Sequence, residues 1–297
     1  MSLWVFATLF AASVQALRFL LQKRLAVSGL SPAAATFARF VYAPIIIGAG
    51  LVAWRMVSDR PLPGIGGGFW PYALAGGISQ ILATMCVVTL FSYRNFAVGI
   101  AFSKVTVLMT VATGFVVLGE TVTWPDIVVM TVGLVGVLIL SVPATGGWQV
   151  LNRASALGLA SGVFFSISAV GYRGASLVVQ SDQPVLRAAV TLCLVTLAQA
   201  VMLGGWLAWR DRAGLVAVFS RWRATILVGL TSMAGSLGWF TAYTLQTAAY
   251  VNAVGQVELI LSMAISWIVL GERFSRRELL AIALVTCSVI GLILLQA

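Results

Sequence analysis

The chain contains no histidine, only two lysines and only eight acidic residues among its 297. Histidine is the commonest metal ligand and the usual proton shuttle, so its absence excludes a Ser/His/Asp catalytic set. The three cysteines, Cys86, Cys193 and Cys287, lie singly inside apolar runs and are interpreted as small buried hydrophobes. There is also no phosphate-binding glycine-rich loop. We therefore expect no enzymatic activity, no cofactor and no metal.

Charge is scarce overall, because only 9% of the residues are charged and 61% are hydrophobic. Soluble domains carry roughly 25% charged residues to keep their surfaces hydrated. In lipid, the outward face of each helix must instead be apolar. The net charge of +10 comes from basic residues scattered between apolar runs, the pattern that orients membrane proteins. The composition predicts a multi-pass protein that contacts the lipid bilayer and does not bind nucleic acid.

Ten apolar segments approach the roughly 20 residues that a spanning helix needs. The first is interpreted as a retained helix, not a signal peptide, and the loop at 210–223 is predicted to hold a short helix at the membrane surface. The loops are too short for an ATP-hydrolysing domain. The segments are approximately 3–22, 33–54, 70–92, 95–118, 124–142, 154–177, 184–209, 224–246, 249–270 and 278–296.

An internal repeat divides the chain. The tripeptide Leu-Gly-Glu at 118–120 recurs at 270–272, an offset of 271 − 119 = 152 residues. The same offset pairs Lys104 with Gln256, and the surrounding segments align without a gap. The repeat predicts that the two parts of the chain share one fold.

The two predicted repeats are residues 1–147 and 148–297, with five spans each. Because five is odd, the second repeat enters the membrane in the opposite sense to the first. The predicted fold is therefore an all-α membrane protein of ten transmembrane helices, in which two inverted five-helix repeats surround a central cavity. A duplicated scaffold without transport remains the alternative.

These features resemble the drug/metabolite transporter superfamily, specifically its EamA type. Besides the repeated Leu-Gly-Glu, an arginine early in the second helix of each half, Arg39 and Arg187, fits the resemblance. One departure is Leu259, where the family often has proline. The resemblance implies a transporter whose third, fourth, eighth and ninth helices line the cavity. Related sugar-phosphate carriers also use a base in the ninth helix. Because residues 252–258 contain none, a phosphate substrate is disfavoured.

Among the charged residues inside or at the ends of the predicted spans, the intramembrane candidates are Arg18, Arg39, Lys104, Arg187 and Glu258. An intramembrane charge costs roughly 2.5–3.5 kcal/mol on insertion scales, so retained charges are functional candidates or structural pairs. Lys104 and Glu258 are predicted at mid-span depth in equivalent helices. There they could bind the carboxylate and the ammonium of a zwitterion, or form a static pair that fixes helix register. With no histidine present, Glu258 is also the candidate for proton coupling.

The remaining charged candidates are given structural interpretations. Glu120 and Glu272 follow glycines that can cap a helix, so they are expected to order the turn to the next helix. Arg39 and Arg187 are predicted near helix ends, where they would bind carbonyls or lipid headgroups, or pair with these glutamates.

Aromatic and amide side chains are predicted to complete the binding site. Trp239 and Tyr243 are four residues apart and share a helix face, as do Asn252 and Gln256. Plain packing remains an alternative for each aromatic residue. The full set of predicted substrate-binding residues is Lys104, Glu258, Gln256, Asn252, Trp239, Tyr243, Tyr250, Tyr93 and Gln80.

The sequence therefore predicts a secondary transporter, an exporter or facilitator of small polar metabolites, with amino acids or related zwitterions favoured. The alternatives are an exporter of amphipathic organic cations and a lipid-headgroup flippase. We expect a monomer or weak dimer in a bacterial inner membrane, with both termini on one side. The loops on the side of the termini hold three basic residues and the opposite loops eleven, which places the termini outside. The resemblance implies the reverse.

Overall fold

The computed structural model of the chain describes residues 2–27, 29–90, 103–141, 153–261 and 275–296. Within these ranges the chain is helical apart from short connections and one isolated antiparallel bridge between Ile65 and Val179. The helices are α1 Leu3–Val27, α2 Pro32–Phe40, α3 Ala43–Ser58, α4 Phe69–Leu90, α5 Thr106–Leu118, α6 Trp124–Ser141, α7 Arg153–Leu177, α8 Pro184–Arg210, α9 Arg212–Ser220, α10 Trp222–Leu245, α11 Ala248–Val254 and α12 Arg276–Leu295.

Six stretches of helix in the described residues are long and apolar enough to cross a membrane: Pro32–Ser58, Phe69–Leu90, Arg153–Leu177, Pro184–Arg210, Trp222–Leu245 and Arg276–Leu295. Four shorter apolar stretches coincide with the other predicted spans, at Leu3–Phe19, Thr106–Leu118, Trp124–Ile139 and Ala248–Leu261. The protein is thus an all-helical membrane protein, and the count of ten crossings stays a prediction.

The second predicted span is not one straight helix. Ser31 caps its start by accepting a hydrogen bond from the Ala34 N–H (3.3 Å), and Pro32 occupies the first turn, where no N–H is needed. The helix breaks at Val41 and restarts as α3, with Pro44 in the first turn. Proline lacks an N–H and its ring clashes with the carbonyl four residues earlier, so the chain cannot continue straight. The end of α2 consequently lies inside the protein.

The fourth and ninth predicted spans are interrupted near equivalent positions. Lys104 forms a turn just before α5, and Gly255 and Gln256 form a turn just after α11. Both turns are closed by hydrogen bonds of the 3₁₀ type, in which an N–H bonds the carbonyl three residues earlier. These run from Val107 N to Lys104 O (3.4 Å) and from Glu258 N to Gly255 O (3.1 Å). Such turns within a helix re-aim side chains and often mark functional sites.

The main helix contacts are made between the two halves of the chain. Helix α4 packs mainly against α7, and α1 packs mainly against α10, so the third span of each half contacts the first span of the other. Both contacts are close. A Cβ added to Gly171 would lie 2.8 Å from Tyr72 O, and one added to Gly238 would lie 3.0 Å from Ala7 O. Small residues at such crossings are typical of membrane helix packing, and the exchanged pairing is what a two-fold relation between the halves produces.

The connections agree with the predicted order of crossings. The loop after α3 bonds to the loop after α7, from Gly66 N to Val178 O (3.0 Å) and from Gln180 N to Gly64 O (2.9 Å). These two loops therefore lie at the same end of the helix bundle. The predicted boundary between residues 147 and 148 lies outside the described residues, so the two-domain division stays a prediction.

The short helix predicted within 210–223 is present as α9. Asp211 caps it by accepting a hydrogen bond from the Gly214 N–H (2.8 Å), and it accepts another from the Ser31 hydroxyl (2.5 Å). These two bonds hold the pKa of Asp211 below its usual range. The capping side chains of α2 and α9, Ser31 and Asp211, are thus hydrogen-bonded to each other.

A polar cavity among the helices as the candidate binding site

A cavity of about 360 Å³ lies among the helices. Its volume is near the lower end of the range for small-molecule pockets, roughly 300–1,000 Å³. Residues of α1, α2, α4, α5, α7, α8, α10 and α11 and of the two turns described above form its wall. Seven of the nine predicted binding residues lie in this wall, namely Lys104, Glu258, Gln256, Asn252, Trp239, Tyr243 and Gln80. Their predicted role as substrate ligands remains a prediction.

Lys104 and Glu258 form an ion pair in the cavity wall. Lys104 Nζ lies 3.6 Å from Glu258 Oε2, and the two side chains are 14% and 7% exposed. The same carboxylate oxygen accepts a hydrogen bond from Gln15 Nε2 (2.7 Å), and Gln15 Oε1 accepts one from Trp239 Nε1 (3.1 Å). A chain of polar contacts thus runs from α10 through α1 to the ninth span. It holds the carboxylate in a fixed position.

A second polar chain crosses the same wall. Trp239 and Tyr243 stack with ring centroids 6.0 Å apart, as expected for residues one helical turn apart. The Tyr243 hydroxyl donates to Asn252 Oδ1 (2.8 Å), and Asn252 Nδ2 donates to Thr110 Oγ1 (2.9 Å). Gln256 is buried, and its Oε1 has no hydrogen-bond partner among the described residues. This amide oxygen is enclosed and lies near Gly133 of α6, outside the cavity wall.

Arg39 is a cavity residue that the sequence reasoning misplaced. Its side chain is buried in the wall, where Nε donates to Ser232 Oγ (2.9 Å) and Nη1 donates to Thr84 Oγ1 (2.7 Å). With the Gln80 amide oriented to suit all its neighbours, Oε1 accepts from Arg39 Nη2 (2.7 Å) and Nη1 (2.9 Å), and Nε2 donates to Ser168 Oγ (2.5 Å). The guanidinium is held by neutral side chains from two helices, α4 and α10.

Arg39 does lie near a helix end, in the last turn of α2, but every residue from Ala33 to Phe40 is buried, so this end faces the protein interior and not lipid headgroups. Arg187 behaves as predicted for binding to carbonyls, because it donates to Leu177 O (2.6 Å) and Val179 O (3.1 Å) after α7.

Other candidates lie away from the cavity. Tyr250 is buried outside the cavity wall, and its hydroxyl donates to Asp126 Oδ2 (2.6 Å). Tyr93 lies outside the described residues. Glu120 follows Gly119, which caps α5 with a φ of 67°, but its ion-pair partner is Arg173 and not Arg39 or Arg187. The second copy of this motif, with Glu272, also lies outside the described residues.

Three further polar residues of the wall come from helices that the resemblance did not emphasise. Gln15 lies on α1, and Gln199 lies on α8, where its Nε2 donates to the Tyr172 hydroxyl (3.1 Å) and to Gly77 O (2.9 Å). Tyr172 packs against Phe240 with ring centroids 4.3 Å apart. An uncharged amide in the middle of an apolar span was the available signal for both glutamines.

The charge of the cavity wall is positive. Among the described lining residues, Arg39 and Lys104 are cationic and Glu258 is the one carboxylate, which leaves one excess positive charge. The wall therefore combines an ion pair, a second cation, neutral hydrogen-bonding groups and aromatic faces. Such a site suits a small polar molecule that carries at least one carboxylate.

The fold and this cavity define a membrane transporter of small molecules, and comparison with known proteins gives the family. The sequence profile of the EamA-like transporter family matches residues 2–142 and 152–294. The chain therefore belongs to the EamA-like transporter family, whose members are transporters of the drug/metabolite type, and the predicted resemblance is confirmed. The two matched segments cover both halves of the chain.

A search of solved structures shows the same fold. One chain, whose title reads only "Crystal structure of protein", aligns with a TM-score of 0.73 at 17% sequence identity, over 97% of this chain and 96% of its own length. At this identity the likeness establishes the fold alone. No curated protein matches the sequence.

Proposed function

We propose that this transporter is a secondary transporter, an exporter or facilitator, of small polar metabolites that carry both a carboxylate and an ammonium group. Amino acids are the simplest members of this class. The observation that carries the proposal is the Lys104–Glu258 ion pair in the wall of the cavity, at 3.6 Å.

The ion pair gives a mechanism for binding and release. The substrate carboxylate takes the place of Glu258 beside Lys104, and the substrate ammonium takes the place of Lys104 beside Glu258. Because an unpaired charge in a desolvated site costs several kcal/mol, each charge needs a partner whether the cavity is empty or occupied. The pair supplies that partner in the empty state, so the transporter can return empty across the membrane.

Neighbouring groups support the same substrate class. The stacked Trp239 and Tyr243 form an aromatic face in the cavity wall that also contains the ion pair. Coupling to protons would act through Glu258. Its protonation cancels the attraction to Lys104 and leaves the ammonium available to a substrate carboxylate.

The alternatives fit the described charges less well. An amphipathic cation would meet a wall in which Arg39 and Lys104 outnumber Glu258. A lipid-headgroup flippase requires an opening from the cavity toward lipid. Both remain outcomes of the following experiment.

The test is uptake of a labelled amino-acid mixture into proteoliposomes, with and without a pH gradient. The variants are Glu258→Gln and Lys104→Met. The matched control is Glu278→Gln, which makes the same change at an exposed carboxylate in the capping box of α12, a position that also accepts glutamine. Wild type and the control are expected to take up the amino acids. Each cavity variant is expected to show uptake reduced at least about tenfold, because each removes one charge-assisted contact to the substrate.

Flux that neither cavity substitution changes would contradict the proposal, as would the absence of flux for every amino acid. In the second case the same vesicles are tested with organic cations and with labelled lipids.

A further inference from the structure

Arg39 has no acidic partner among the described residues. Its side chain is 5% exposed, and the groups that accept its N–H bonds are the neutral side chains of Ser232, Thr84 and Gln80. A guanidinium has five N–H donors and cannot be neutralised by losing a proton inside a protein. This arginine therefore keeps a full charge in the cavity wall, where only neutral groups accept its N–H bonds.

A second buried arginine increases the imbalance. Arg18 is 2% exposed, donates to Gln22 Oε1 (3.0 Å), and lies within electrostatic range of both Arg39 and Glu258. In the described part of the chain, three cations, Arg18, Arg39 and Lys104, thus lie in or near the cavity wall with one carboxylate, Glu258, which is paired with Lys104. Both arginine side chains are buried, so water screens their excess charge poorly, and a bound anion would stabilise this arrangement.

The contacts of Arg39 also allow an anion to bind. Gln80 lies between the guanidinium and Ser168, and all three line the cavity. Rotation of the Gln80 side chain frees the two N–H groups of the guanidinium that it occupies. A carboxylate can accept both in the bidentate geometry that arginine prefers, and such charged hydrogen bonds are roughly twice as strong as neutral ones.

We propose that Arg39 forms a second anion site, which selects substrates with a second acidic group in addition to the carboxylate bound at Lys104. The preferred substrate is then a net-negative zwitterion, such as an acidic amino acid. The inference rests on the proposed function for the carboxylate at Lys104 and for the ammonium at Glu258. The Arg39 site itself predicts a preference for dicarboxylates with or without that ammonium.

Four ligands separate the two claims: glutamate, glutamine, glutarate and glutaramate. Glutamate and glutarate carry two carboxylates, and the other two carry an amide in place of the second. Affinities are measured by isothermal titration calorimetry on the purified protein. Wild type is expected to bind each dicarboxylate at least about tenfold more tightly than its amide partner, the effect of one charged contact.

Arg39→Gln is expected to abolish this preference and to leave the affinity for glutamine within a factor of about three. The control is Arg187→Gln, which removes the corresponding arginine of the second half, a residue that bonds main-chain carbonyls outside the cavity. It is expected to keep the preference. Arg39→Lys, which retains the charge, is measured as well. It is expected to show a reduced preference for the dicarboxylates, and it serves as the test if Arg39→Gln does not fold.

Equal affinities of wild type for glutamate and glutamine would overturn the inference, as would a preference that survives in Arg39→Gln or no binding of any of the four ligands. Failure of the proposed function gives a different result, in which glutarate binds as well as glutamate and Glu258→Gln changes neither. The preference for the second carboxylate would then remain.

Discussion

Arg173 ties three helices together at one end of the bundle, and its removal gives the most quantitative stability prediction. The guanidinium is ion-paired with Glu120 after α5 and donates to Tyr243 O (2.6 Å) and Gln246 O (2.7 Å) at the end of α10. The substitution Arg173→Met keeps an unbranched apolar side chain in place of the arginine stem and removes all three interactions.

The expected cost follows from the burial of the pair. The side chains of Arg173 and Glu120 are 13% and 14% exposed, so the pair lies between a surface ion pair, about 0.2–1 kcal/mol, and a buried pair broken on one side, about 3–5 kcal/mol. We take about 1–2 kcal/mol for the pair. The two bonds to carbonyls add about 1 kcal/mol each, the typical net value for a hydrogen bond in a protein. Arg173→Met should therefore lower the free energy of unfolding by about 3–4 kcal/mol.

The assay is a double-mutant cycle in detergent micelles with Arg173→Met, Glu120→Gln and the double variant. The coupling between the two sites is expected to be about 1–2 kcal/mol. Arg55→Met, which removes an exposed arginine near the end of α3, is the control and should cost less than about 0.5 kcal/mol. Additive effects of the two substitutions, or a cost for Arg173→Met no larger than for the control, would refute the reasoning.

Three further predictions concern positions outside the cavity. Gly136→Ala should lower the unfolding free energy by about 1–3 kcal/mol, because the new Cβ would lie 2.9 Å from Ala281 O between α6 and α12; unchanged stability would contradict this packing. Tyr250→Phe should lower the free energy of unfolding by about 1.5–3 kcal/mol, because it removes the hydrogen bond to Asp126. Lower substrate affinity at unchanged stability would instead indicate that Tyr250 binds the substrate. The hydrogen bonds that lower the pKa of Asp211 stabilise the fold at pH values above the ordinary aspartate pKa of about 3.9. This stabilisation is lost as the pH falls through the lowered pKa. The advantage of wild type over Asp211→Asn should therefore shrink between about pH 6 and pH 3, and a constant difference would exclude this role.

The sequence predicted the architecture and the ion pair because the repeat carries both. The repeated Leu-Gly-Glu fixed an offset of 152, and that offset placed Lys104 and Glu258 at similar depths in equivalent spans. Their contact at 3.6 Å then follows from the packing of the two halves. Depth in the membrane, unlike side-chain direction, can be read from segment length alone.

The orientation of the other residues could not be predicted in this way. The helices that face lipid on one side and protein on the other are apolar all round, so no polar face shows which way Tyr250 or Gln15 points. Arg39 was misplaced for a different reason, since a position near a helix end does not show whether that end is buried in the protein. Glu120 found an unexpected partner because the position of Arg173 depends on how the two halves pack.

Water access to the cavity tests the central claim most directly, since it does not depend on knowing the substrate. Ser236, in the cavity wall, is changed to cysteine in a protein whose three native cysteines are replaced, and the reconstituted protein is exposed to a charged, membrane-impermeant thiol reagent. The control is Ser161→Cys, at a fully buried position of α7 outside the wall. The account predicts that Ser236→Cys reacts from at least one side of the membrane while Ser161→Cys does not. Equal resistance of the two variants would contradict a substrate path through this cavity.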